Sequence, residues 1–130
     1  MYQKLTLFIL ASILANMVFA TDSLQQPEPK STAEKMLMEL YNQDEFKAVI
    51  QKSDSLLASS AQINKARVFH IKADAYYFLN DVQASFDNYA LAIDQLDNYS
   101  LDTIHLIEVY SHAGFCLKYL GKYLDATPYY

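Results

Sequence analysis

Between Ala66 and Ile93 small and large side chains alternate at helical spacing, which confines the chain to closely packed helices. Phe69, Ala73 and Tyr76 recur at intervals of four and three, so they share one face of a first helix. Asn80-Asp81 interrupts that pattern, and Asp81 has the side chain of an N-cap for a second helix. Ser85, Tyr89, Ala92 and Ile93 mark the inward face of the second helix. The small residues Ala73, Ser85 and Ala92, set against the aromatic Phe69, Tyr76 and Tyr89, let the two helices approach and interlock. Only two Gly and three Pro occur in 130 residues, which suits an all-helical protein, and a hydrophobic content of 52% argues against disorder.

The same scheme recurs on both sides. Ser31 to Glu34 has the spacing of a capping box and opens a helix whose apolar face carries Ala33, Leu37 and Leu40. Asn42-Gln43-Asp44 breaks it, and Phe46, Val49, Ile50, Leu56 and Leu57 mark its partner. Shifting the central pattern back by 36 residues places Leu37 on Ala73, Leu40 on Tyr76 and Val49 on Ser85. Shifting it forward by 41 residues places Tyr110, Gly114 and Leu117 on Phe69, Ala73 and Tyr76, and Ala126 and Tyr130 on Ser85 and Tyr89. Ser100 or Asp102 would cap the long helix that leads into this third copy.

These copies resemble tetratricopeptide repeats (TPRs). Phe69 stands where that family has Trp, Ala73 where it has Gly and Tyr76 on its Tyr, while Lys72 replaces its Leu. Ala113-Gly114 and Gly121 match the family's Ala-Gly pair and turn glycine. The fold implied is all-α: antiparallel helix pairs stacked as a short right-handed α-solenoid of about two and a half repeats. The repeats fall at about 30–63, 66–99 and 107–130, the last incomplete, within a repeat domain spanning 31–130.

The N-terminus reads as an export signal. Lys4 precedes an apolar run from Leu5 to Phe19, and Val18-Phe19-Ala20 has the small-residue spacing of a cleavage site. As a helix the run would reach roughly 22 Å, short of a hydrocarbon core of ~30 Å. Residues 1–20 are therefore expected to be removed, with 21–30 a polar, Pro-containing linker. The expected location is outside the cytoplasm: periplasmic in a bacterium, the secretory pathway otherwise. Loss of Lys4 takes the net charge from -5 to -6, which gives no basic footprint for nucleic acid. A membrane would be reached only through sequence beyond this chain.

Catalytic and metal-binding motifs are missing. His105 and His112 are two helical turns apart, too far to share one ion unaided, and His70 is remote in sequence. Cys116, the only cysteine, excludes an internal disulfide and is expected to be buried, although His112 lies one turn before it. The chain is thus read as non-catalytic, with no cofactor and no metal.

What remains is a surface. In tetratricopeptide arrays the first helices of successive repeats line a concave groove. The resemblance puts Arg67, His70, Asp74 and Tyr77 there from the central repeat, and Glu108, Ser111, Phe115 and Lys118 from the third. A face mixing charges and aromatics suits a peptide or protein partner. The family's carboxylate-clamp subtype uses Lys, Asn and Arg, whereas this chain has Glu34, Met38, Ile71, Glu108 and His112 at those positions. The expected function is an exported peptide-binding scaffold. The alternative is the periplasmic sensor region of a membrane-bound diguanylate cyclase or histidine kinase. The third repeat breaks off within a helix, so the chain is expected to belong to a longer protein and to self-associate through that unfinished repeat.

Overall fold

A computed structural model describes residues 31–130; the expected signal peptide and linker lie outside the described residues. The described residues are helical, without strands. The helices are α1 (Thr32–Asn42), α2 (Phe46–Ala58), α3 (Lys65–Phe78), α4 (Val82–Asp94), α5 (Thr103–Tyr119) and the single turn α6 (Tyr123–Ala126). Short 3-10 turns at Gln95–Asp97 and Thr127–Tyr129 follow α4 and α6. Among the described residues no helix is long and apolar enough to cross a membrane.

Local chemistry sets the helix boundaries. The Oγ of Ser31 accepts from the Glu34 amide, Asn64 Oδ1 from Arg67, Asp81 Oδ1 from Ala84, and Asp102 Oδ1 from His105. Each satisfies one of the amides that a helix start leaves without a partner. Asp102, rather than Ser100, caps α5. Asn64 also donates from Nδ2 to the Ser100 carbonyl at 2.7 Å, which ties the start of α3 to the loop before α5.

Three helix ends share one geometry. α1, α3 and α5 are each followed by a residue of positive φ: Asp44 (59°), Asn80 (63°) and Gly121 (76°). The next amide then reaches back to the fifth residue before it: Glu45 to Leu40 at 3.0 Å, Asp81 to Tyr76 at 3.0 Å, and Lys122 to Leu117 at 2.8 Å. The positive-φ residue bonds three back, to Tyr41, Tyr77 and Lys118. This is the Schellman motif, used three times at the offsets that relate the sequence copies.

Two sets of equivalent positions are buried alike, while Tyr130, 67% exposed, departs from its counterpart Tyr89, 1% exposed. Leu37, Ala73 and Gly114 are covered in α1, α3 and α5, as are Val49, Ser85 and Ala126 in α2, α4 and α6. α3 is the pivot. Its Val68, Ile71 and Ala75 join Leu37, Val49 and Ile63 in one core, while its Ala73 joins Tyr89, Val109, Ala113 and Cys116 in the other. A helix covered on two sides has no single apolar stripe, so the spacing of Phe69, Ala73 and Tyr76 captured only half of its packing. Phe69 and Tyr76 themselves are only partly buried. Lys72, the departure from the repeat pattern, pairs with Asp54 of α2 at 2.6 Å. In the third copy Leu117 is buried at 3% exposure, whereas Tyr110 is 37% exposed.

Candidate functional site

An open cleft of about 410 Å³ is lined by Tyr41 of α1, Asp74, Tyr77 and Phe78 of α3, Tyr89 of α4, and Glu108, His112, Phe115 and Cys116 of α5. Its aromatic wall is built edge to face: Tyr41 and Tyr77 each meet Phe78 with centroids 6.0 Å apart, and Tyr77 meets Phe115 at 6.1 Å. Phe78 is held from behind by stacking on Phe46 at 4.9 Å. Phe78 and Phe115 are 58% and 47% exposed, so apolar surface faces outward here.

Asp74 organises the polar end. Tyr89 of α4 donates a short hydrogen bond to it, His112 Nδ1 of α5 lies 3.7 Å away, and His70 Nε2, one turn earlier on α3, lies at 3.5 Å. Burial alone would raise the Asp74 carboxyl; His112, His70 and Tyr89 outweigh it and hold the group below its ordinary value. The bond to Asp74 raises the His112 imidazole against partial burial. Burial drives the Tyr89 phenol upward, and Asp74 adds to that shift. Burial also pushes Tyr41 up to about 12.

His70 is at the base. It is 1% exposed, and burial depresses it to about 4 despite Asp74. Arg67 Nη1 lies 2.9 Å from its Nδ1; since a guanidinium only donates, Nδ1 accepts and the ring proton sits on Nε2. Arg67 Nη2 meets Met38 Sδ at 3.5 Å, and burial lowers this guanidinium's pKa. Glu108 Oε2 reaches to 3.7 Å from His70 Nε2.

Of the residues expected in the groove, Asp74, Tyr77, Glu108 and Phe115 line the cleft together, with Arg67 and His70 beneath them. Ser111 and Lys118 do not line it. The Ser111 hydroxyl is turned onto its own helix, donating to the Ile107 carbonyl at 2.6 Å, and Lys118 lies over the Tyr130 ring at 4.3 Å. Tyr41, Phe78, Tyr89 and His112 were not expected there. The one signal available in the sequence was the resemblance, which would set His112 at a clamp position. Cys116 is buried, and burial raises its thiol; its Sγ contacts Ser85 Oγ at 3.6 Å instead of pairing with His112. His105 is held by Asp102, with Nδ1 2.6 Å from Oδ2.

A scan against family models gave no match for this chain, and neither did searches of curated proteins and of solved structures.

Proposed function

We propose that the chain is an exported, non-catalytic tetratricopeptide-type scaffold that binds a peptide or protein segment in the cleft between α1, α3 and α5. The observation that carries this reading is the cleft's composition: exposed Tyr77, Phe78 and Phe115 beside the carboxylates of Asp74 and Glu108. Exposed rings offer flat apolar contact at low entropic cost, and the carboxylates favour a Lys or Arg side chain in the partner. The recurrent Schellman turns and the shared burial of Leu37, Ala73 and Gly114 and of Val49, Ser85 and Ala126 support the repeat assignment.

The test is selection from a random peptide library displayed on phage, with the full chain as bait. Selected peptides should carry a basic residue near an apolar one. They should lose at least about tenfold in affinity with Phe115→Ala or Tyr77→Ala, as expected for removal of a central aromatic contact, and be unaffected by Lys118→Ala. Peptides that bind all three variants alike would place the interaction elsewhere and end this reading.

A further inference from the structure

Side chains able to ligate a cation lie in pairs on two helices. His70 and Asp74 are four apart on α3, and Glu108 and His112 are four apart on α5. That spacing puts both members of each pair on one helix face. His70, Asp74 and His112 each offer one ligand atom, all within 4.8 Å of one another. The measured edges are 3.5 Å from His70 Nε2 to Asp74 Oδ2, 3.7 Å from His112 Nδ1 to Asp74 Oδ1, and 3.7 Å from His70 Nε2 to Glu108 Oε2. A tetrahedron with bonds of about 2.0–2.2 Å has edges of about 3.3–3.6 Å. Because His70 and His112 face different oxygens of Asp74, the three groups must turn and draw together by as much as about 1 Å to present one ligand atom each, and Glu108 must swing in to complete the set.

A second observation points the same way. His70 Nε2 is buried and has no hydrogen-bond partner, although it is aimed at two carboxylates. Buried polar atoms of native proteins are rarely left so. We propose that His70 Nε2, Asp74 and His112 Nδ1 bind a divalent transition-metal ion, zinc being the best match, with Glu108 closing the fourth position. Two carboxylates and two neutral imidazoles balance a dication, and a mixed nitrogen and oxygen set of four suits zinc, whereas calcium and magnesium require six or more oxygens. The Tyr89 hydroxyl bonds Asp74 and fixes its carboxylate, the usual role of a group behind a ligand.

Arg67 opposes the ion. Ligation at Nε2 moves the His70 ring proton to Nδ1, where Arg67 would then face it donor to donor. Its charge also lies beside the site. Arg67 must turn aside for the ion to bind, and Arg67→Gln, whose amide oxygen accepts from Nδ1–H, should bind more tightly.

This assignment stands apart from the peptide reading, because the ion needs no peptide in the cleft. The experiment is titration of the chelator-treated full chain with Zn2+ by calorimetry and with Co2+ by visible absorption. One ion per chain is expected, with the intense cobalt spectrum of a four-coordinate site. His112 is half exposed, so His112→Ala should keep its helical circular dichroism and lose more than about 100-fold in affinity, beyond the usual effect of a group behind a ligand. His105→Ala should bind as wild type, and Arg67→Gln roughly tenfold more tightly. In proton NMR, Zn2+ should shift the imidazole signals of His70 and His112 and leave His105 in place. Absence of stoichiometric binding, equal affinity of wild type and His112→Ala, weaker binding by Arg67→Gln, or a shift confined to His105 would each overturn the site. Peptide affinity measured in chelator reports on the cleft separately.

Discussion

Ser85 donates its hydroxyl hydrogen to the backbone carbonyl of Ala73 at 2.9 Å, across the contact between α4 and α3, and its oxygen also receives the Cys116 thiol of α5. Three helices therefore meet at one small side chain. Ala73 is fully buried there. Ala73→Leu should overpack the contact and cost about 1–3 kcal/mol in chemical denaturation. Ser85→Ala should cost about 1 kcal/mol, mostly the lost hydrogen bond. An Ala73→Leu protein with unchanged stability would show that this face is open.

The glycine equivalent to Ala73 behaves differently. A Cβ on Gly114 would come within 2.7 Å of Tyr130 Cε2 and 3.1 Å of Tyr129 Cβ. The first obstacle is the end of an exposed ring that can swing away. Gly114→Ala also gains about 0.5–1 kcal/mol of helix preference, so its net effect should stay within about 1 kcal/mol of zero. A loss as large as that of Ala73→Leu in the same denaturation series would contradict this.

The positive-φ positions give an opposite sign. Asp44 and Asn80 adopt a conformation that costs an ordinary L-residue roughly 1–2 kcal/mol, less for Asn and Asp. Asn80→Gly should therefore stabilise, by up to about 1 kcal/mol after the extra freedom of glycine in the unfolded chain is deducted. Thermal melting of Asn80→Gly and Asp44→Gly checks it, and a lowered melting temperature in both would refute the turn geometry.

Removing the phenol that holds Asp74 tests the polar end. Tyr89→Phe leaves the ring volume and takes away a hydrogen bond to a charged group, so a loss of about 1.5–3 kcal/mol is expected. The Asp74 pKa should rise toward the ordinary carboxylate range, visible by carbon NMR. A neutral substitution would mean the hydroxyl is satisfied by solvent.

His70 makes stability depend on pH in metal-free protein. It is faced by Asp74, Arg67, His105, Glu108 and His112, and burial dominates. The unfolded imidazole takes a proton near pH 6.5, the folded one only near pH 4. Between those values the unfolded chain binds more protons, so stability is full above 6.5 and is lost as pH falls through 4, on the order of 3 kcal/mol. His112, raised by Asp74, works the other way: its contribution is present below 6.5 and fades as pH rises. In proton NMR with chelator present, a His70 midpoint near 6.5 would contradict its burial.

Helix boundaries and local caps were largely written in the chain. Asp81, Asp102 and Ser31 cap as their side chains require, and Asn80 and Gly121 mark turns. The cleft was half legible. Asp74, Tyr77, Glu108 and Phe115 were expected there from the resemblance to tetratricopeptide repeats, and helical periodicity added only that the residues of each set share a face. Tyr41 and Tyr89 escaped, since they arrive from α1 and α4 through tertiary packing that no single-helix period encodes. The meeting of His70 with His112 was hidden for the same reason: the separation along one helix rules out His105 with His112, but says nothing of two residues on different helices. His70 was expected along the groove face and lies beneath it, because α3 is covered on both flanks.

The three Schellman turns have a kinetic consequence. Each reverses the chain within a few residues, so most interhelix packing joins neighbours in sequence: α1 with α2, α2 with α3, α3 with α4, α4 with α5. Closing such short loops costs little entropy, and chains dominated by local contacts fold on microsecond to millisecond timescales. Either core can nucleate first, since α3 belongs to both and can grow onto whichever hairpin forms. The polar cluster around Asp74 draws on α3, α4 and α5 together, so it is complete only once the α3–α4 turn and the α4–α5 connection have both closed.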